Sequence, residues 1–192
     1  MRVINEIDKD EPGKSTPLIP YDKINIKIMS DSICIYIEAD IKDSLFELLF
    51  ICIDFQVRMI ERNPPILLRG AITKGKLLSE GDLLYGPGFV DAYLMEENNA
   101  AVPRIIINKC IVDDYIARFS TNHIPSNILM KDYDAFYCTN YISFYGMTDR
   151  TKIAKYDVLY RHIQDILSST TDDSIRNKYL YLESKVQPFI KE

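Results

Sequence analysis

Ile24-Asn-Ile-Lys-Ile-Met-Ser-Asp-Ser-Ile-Cys-Ile-Tyr-Ile-Glu38 is the stretch on which the reading of the chain turns. Isoleucine recurs at 24, 26 and 28, then at 33, 35 and 37, a period of two on either side of Ser30-Asp31-Ser32. That alternation predicts two strands joined by a tight turn, each strand with one buried face. Ser and Asp suit the turn because their short side chains hydrogen-bond the neighbouring backbone. Asp31, at the tip, has two readings. It is a solvated turn residue, or it is a metal ligand held on rigid strands.

Working outward, Ile41, Leu45, Leu48, Leu49, Cys52, Phe55 and Met59 fall at helical spacing and predict a helix over 41–62. Asp40 is its expected N-cap, and Asn63-Pro64-Pro65 its stop. A strand over 66–73 follows, then an extended piece after Lys74-Gly75-Lys76 and a short apolar piece at 82–85. Gly86-Pro87-Gly88 opens a helix to about Asn99, with Pro87 suited to the first turn. Beyond it the pattern predicts a strand at 104–108, a helix at 110–119, a loop at 121–127 and strands at 128–133 and 136–144. Helices at 153–167 and 172–186 close the chain, and residues 1–22, with Pro12, Gly13, Pro17 and Pro20, read as irregular. Strands interleaved with helices, with no repeat and no linker, predict one α+β domain over 1–192: a mixed, mainly antiparallel sheet with flanking helices.

Composition sets bounds on function. A chain of 192 residues, 47% hydrophobic and 27% charged, is a globular protein with a real core. A net charge of -5 argues against non-specific nucleic-acid binding, which calls for a basic face. Cys34, Cys52, Cys110 and Cys138 are scattered without a C-x-x-C pair, which fits free thiols in a reducing compartment. His123 and His162 have no metal spacing between them, so zinc is not expected. No signal peptide opens the chain, and its most apolar run, 45–53, is too short to span a bilayer. The expected location is the cytoplasm.

Gly75, Gly81, Gly86 and Gly88 cluster beside Arg69, Lys74 and Lys76. These glycines serve turns between strands, or they form a phosphate-facing edge of backbone amides and cations. There is no Walker signature, no G-x-G-x-x-G, no nucleophile elbow and no Ser-His-Asp or Cys-His set.

The order of these pieces resembles the class III nucleotidyl cyclase domain. Lys27-Ile-Met-Ser-Asp31 is similar to that family's K-x-x-G-D hairpin, with Ser30 in place of Gly. Arg69-Gly-Ala-Ile-Thr-Lys-Gly75 resembles its R-x-G-I-x-x-G strand. Gly86 to Glu96 can be laid on its G-x-x-V-N-x-A-x-R-L-E helix without gaps, matching at Gly86, Ala92 and Glu96. The bacterial pyrimidine cyclases of phage-defence systems are the nearest look-alikes. Their recurring pieces resemble Ser-Asp-Ser-Ile, Leu-Arg-Gly-Ala-Ile, Tyr-Gly-Pro, Ala-Tyr-x-x-Glu and Pro-Arg-Ile-Ile-Ile, all present in order between Ser30 and Ile107. Lys131-Asp-Tyr-Asp-Ala-Phe, leading into Asn140-Tyr141, resembles the group's late strands.

The resemblance implies a palm-like fold and magnesium- or manganese-dependent cyclisation of CTP or UTP to cyclic CMP or cyclic UMP, with release of pyrophosphate, as a signal in antiviral defence. It implies Asp31 as a metal carboxylate, Arg69 and Arg104 as phosphate-facing cations, and Lys27, Ser30, Ser32 and Tyr93 as substrate contacts. Arg69 also reads as a strand-end ion pair. Asp91, Tyr93 and Glu96 would face a partner subunit, since the family's composite sites form in a homodimer.

Two departures qualify this. The Asn and Arg that purine cyclases use from the partner helix fall here on Val90 and Leu94, which fits a pyrimidine-type relative. The family's first metal Asp, on a D-x-x-G-F strand before the hairpin, has no counterpart between Met1 and Asp22. Two expectations follow: that strand lies upstream of Met1, or the chain is a degenerate copy. In the second case it is a catalytically inactive cyclase-fold module that dimerises or binds a nucleotide without turning it over.

Overall fold

The isoleucine alternation forms the hairpin it predicts. In the computed structural model, which describes residues 18–81, 83–119, 123–145 and 152–190 (side chains at 145 and 152–154 excepted), β1 spans Asn25–Met29 and β2 spans Ser32–Tyr36. The chain divides into two compact units, Met1–Glu47 and Leu48–Glu192, and each is described by itself.

In the first unit β1 and β2 pair antiparallel, with Ile26 opposite Ile35 and Ile28 opposite Ile33 on one face. Lys27 lies opposite Cys34 and Met29 opposite Ser32 on the other. Ser30 and Asp31 form the two-residue loop, and Ser30 takes a φ of 55°. Loops of this length need a positive φ at a central position for the strands to keep their twist. The expected burial of the isoleucine face does not hold at the tip, where Ile28 is 59% and Ile33 48% exposed. Alternation reports which side chains share a face, not what covers that face.

The first helix, α1, spans Ser44–Ile60 and begins later than the periodicity suggests. Asp43 sits at a φ of 66°, and the Ile41 amide donates to the Glu38 carbonyl, so 39–43 is turn and Asp40 is not the N-cap. At the other end of this unit the Leu18 amide donates to Glu47 Oε2 at 2.7 Å, tying the incoming chain to the first turn of α1.

The second unit continues from α1 through β3 (Gly70–Ile72), β4 (Leu78–Glu80), β5 (Leu83–Tyr85), α2 (Pro87–Asn99), β6 (Ile105–Ile107), α3 (Lys109–Phe119), β7 (Leu129–Lys131), β8 (Tyr137–Thr139), α4 (Tyr141–Tyr145), α5 (Lys152–Ser169) and α6 (Asp173–Val186). A four-stranded mixed sheet runs β3-β6-β8-β7, with only the β3–β6 pair parallel, and β4–β5 is a separate hairpin. The protein is α+β. Met95, Ala100, Ile106 and Cys138 are buried together, with Ala71, Met130 and Phe136 packed against them, so α2 and the middle of the sheet share one core.

Two strands are shorter than expected. Only Gly70–Ile72 of 66–73 pairs, and β8 stops at Thr139. Asn140 ends it: its Oδ1 accepts from the Ser143 amide and its Nδ2 donates to the Ser126 carbonyl, an N-cap arrangement that starts α4 where a strand to 144 was expected. Asp172 caps α6 in the same way, accepting from the Ile175 amide at 3.0 Å. No helix among the described residues is long and apolar enough to cross a membrane.

Candidate functional site

The hairpin gathers four of the residues singled out in the sequence. Lys27 and Ser32 project from the face opposite the isoleucines, while Ser30 and the exposed Asp31 form the turn. The tip thus carries the hydroxyls of Ser30 and Ser32 and one carboxylate, and no group of three or more His, Cys, Asp or Glu placed to hold a metal ion is found among the described residues.

The glycine cluster has a different geometry from a cradle. Gly75 lies against the start of α2: a Cβ built on it would fall 2.6 Å from Gly88 Cα and 2.8 Å from Gly88 N. Gly86 takes a φ of 138°, with the Lys76 carbonyl pressed close to it. The Gly88 amide donates to that carbonyl at 3.1 Å, and Thr73 Oγ1 donates to the Gly88 carbonyl at 2.7 Å. Two motifs separate in sequence thus cross backbone on backbone, and no side chain fits between them. Lys74 reaches away from this crossing to pair with Asp114 on α3.

Arg69 and Arg104 both hold α2. Arg69 Nε meets Glu96 Oε1 at 2.5 Å, so Glu96 faces its own sheet, and the strand-end ion pair is the reading of Arg69 that the geometry gives. Val90, Tyr93 and Leu94 stay exposed on the outer side of the helix, while Met95 is buried.

Arg104, expected as a phosphate-facing cation, lies in the core. It is 1% exposed, and its fork is filled by carboxylates. Nη1 donates to Asp132 Oδ2 at 2.7 Å and to Asp134 Oδ1 at 3.0 Å, while Nη2 donates to Asp134 Oδ2 and, at 2.9 Å, to the Asn99 carbonyl. The ring of Tyr133 lies 5.0 Å from its guanidinium carbon, a cation–π contact. Asp132 is a hub in its turn, accepting from Tyr181 Oη and Lys185 Nζ, both at 2.9 Å. Sequence reasoning missed these partners. The signal was Arg104 itself: an arginine joined directly to Ile-Ile-Ile is drawn into the core with its strand, and a charge there needs an acid.

Burial alone would raise the Asp132 carboxyl, but hydrogen bonds from Lys185, Arg104 and Tyr181 outweigh it and hold the carboxyl below the usual carboxylate range. Because the folded carboxyl is the stronger acid, its contribution is fully present above the unfolded pKa, about 4, and is lost as pH falls below it. Asp132→Asn should therefore flatten the acid limb of melting temperature against pH, leaving the slope between about pH 5 and 8 unchanged. An acid limb identical to that of the parent chain would place the effect on other carboxylates.

Burial pushes the Cys52 and Cys138 thiols up to about 12, so both are inert core groups rather than nucleophiles. A groove of about 210 Å³ lies between the sheet and the end of α6, lined by Met130, Asn140, Ser143, Tyr181, Ser184 and Phe189. It contains none of the expected metal, phosphate or substrate residues, and it falls short of the roughly 300–1,000 Å³ of ordinary ligand pockets.

The residues drawn from the motifs thus fall in both units: Lys27, Ser30, Asp31 and Ser32 in the first, Arg69, Tyr93 and Arg104 in the second. Comparison with protein-family models, curated proteins and solved structures gave no match to this chain.

Proposed function

We propose that the protein is a class III cyclase-like domain of palm-like type that binds CTP or UTP with magnesium or manganese, acts as a homodimer, and cyclises the nucleotide to cyclic CMP or cyclic UMP with release of pyrophosphate. A cytoplasmic signal in antiviral defence is the corresponding role. The observation that carries the reading is the crossing of Gly75 with Gly86 and Gly88: two motifs that resemble the family's are the two that need glycine where they meet. Ser30 adds support, because its φ of 55° is a conformation glycine adopts freely, at the position where the family's hairpin has Gly.

Asp31 would hold the metal. Magnesium is commonly held by one or two carboxylates together with substrate phosphates and water, so a single exposed Asp on an oxygen-rich turn fits that donor set. When bound, the ion would supply charge neutralisation for the triphosphate. Lys27, Ser30 and Ser32 would contact the nucleotide, and Tyr93 would do so from the dimer-facing helix.

A second reading is favoured by the two arginines. Arg104 is enclosed by Asp132 and Asp134 and Arg69 is paired to Glu96, so neither of the two expected phosphate-facing arginines is free for phosphate. An inactive cyclase-fold module that binds a nucleotide or dimerises fits that state.

One experiment separates them. The purified chain is incubated with each of the four ribonucleoside triphosphates and manganese, with products analysed and binding followed by calorimetry. Cyclic CMP or UMP with pyrophosphate supports the enzyme, and metal-dependent binding without product supports the inactive module. Asp31→Ala should abolish the metal-dependent binding while the circular dichroism and melting curve stay unchanged, since an exposed turn carboxylate contributes little to packing. Unchanged metal dependence in that variant would make Asp31 a turn residue only.

A further inference from the structure

We infer that Asp132 and Arg104 form a relay between the C-terminal helix and α2, so that order in the last turn of α2 depends on α6 being seated. Tyr181 and Lys185 lie one turn apart on α6 and therefore on one face. They donate to different oxygens of the same carboxylate, Tyr181 to Asp132 Oδ2 and Lys185 to Asp132 Oδ1. Asp132 Oδ2 also accepts from Arg104 Nη1, and the other end of that guanidinium, Nη2, donates to the Asn99 carbonyl at 2.9 Å. Asn99 is the last residue of α2. Its carbonyl is one of the acceptors that a helix C-terminus leaves without an intrahelical partner, and a cation placed there also meets the negative end of the helix dipole.

Each link is a hydrogen bond made by a side chain in or beside the core. The guanidinium is fixed because carboxylates grip it on one side and Asn99 on the other. If α6 lifts, Asp132 loses two of its donors while keeping its charge, and a buried carboxylate left so poorly matched swings toward water. Arg104, bound to it, follows or divides differently between Asp132 and Asp134, and the cap on Asn99 opens. The groove of about 210 Å³ borders Tyr181 and Lys185, where the relay begins. At the far end, α2 carries the exposed Val90, Tyr93 and Leu94, so a change in the seating of α6 is transmitted to that outer face. The relay does not depend on the cyclase reading.

Hydrogen exchange on the full chain tests it. The Ala100 amide, which donates to the Glu96 carbonyl at 3.0 Å, closes the last turn of α2 and reports its order. In a Tyr181→Phe/Lys185→Met variant, exchange at Asn99 and Ala100 should accelerate at least tenfold. In Ile53→Val, which loosens the fully buried interior of α1, a helix without substantial packing on α2 or α6, it should change less than twofold. Lys185→Met alone, the milder variant should the pair fail to fold, should give at least a threefold acceleration. Unchanged exchange in the α6 variants, or equal acceleration in Ile53→Val, overturns the relay. Neither readout involves nucleotide or self-association, so failure here leaves the proposed function standing.

Discussion

Replacing Arg104 with methionine should destabilise the fold by about 3–5 kcal/mol, the range for removing one partner of a buried ion pair. Methionine fills much of the same volume, so the loss comes from what the guanidinium leaves behind. The Asp132 side chain is 2% exposed and keeps only Tyr181, Lys185 and local donors, while Asp134 loses both of its bonds to the fork. The Asn99 carbonyl loses its cap as well. For a chain of this size the shift in melting temperature should be on the order of 10 °C, read beside a urea transition whose slope stays unchanged. Adding Asp134→Asn to the variant should recover part of the loss, because it removes a charge that no longer has a counter-ion. That recovery is non-additivity between residues of one network. A loss below about 1 kcal/mol, the level of an exposed pair, would mean that the cluster is effectively solvated.

Arg104 also marks where the sequence stopped being readable. The hairpin could be read because isoleucine at every second position specifies pairing, and the observed register sets Ile26 on Ile35 and Ile28 on Ile33. The start of α2 could be read because Gly-Pro-Gly leaves the backbone few alternatives, and the helix does begin at Pro87. Long-range polar partners are another matter. Nothing local to Arg104 names Asp132, Asp134, Lys185 or Tyr181, which come from β7–β8 and α6, far along the chain. Only the rule that a buried charge needs an opposite one could have predicted some acid there.

The other misses have local causes. The run from Phe136 to Phe144 alternates poorly, so its change from strand to helix is written in the capping chemistry of Asn140 and not in hydrophobic period. The late start of α1 follows from Asp43 in a left-handed conformation, which helical spacing of apolar residues cannot report. Of the candidate site, the hairpin turn was legible as a chemical group. The pairing of Arg69 was legible only as one of two alternatives, because strand-end arginines and phosphate-binding arginines look alike until the acid opposite is placed. Glu96 is that acid.

Gly75→Ala should be strongly damaging for a single added methyl, costing roughly 2–3 kcal/mol or more. The new methyl would stand 2.6 Å from Gly88 Cα and 2.8 Å from Gly88 N, both backbone atoms, so no side-chain rotamer can relieve the clash. The start of α2 is also pinned. The Gly88 amide is bound to the Lys76 carbonyl, and the Gly88 carbonyl to Thr73 Oγ1, so moving the helix away from residue 75 breaks both bonds. Gly88→Ala should cost less, because its added carbon meets Gly75 atoms at 3.1 Å, which a small shift relieves. Gly81→Ala supplies the contrast. Nothing lies within 4 Å of a Cβ there, so the only cost is placing a side chain at a φ of +53°, about 1 kcal/mol. Chemical denaturation of the three variants should rank them Gly75, Gly88, Gly81 in falling order of damage. The ranking bears on function because the crossing is what makes the two glycine-bearing motifs one structural unit. If Gly75→Ala cost no more than Gly81→Ala, these glycines would be ordinary turn residues, and the main support for a cyclase-like site would be gone.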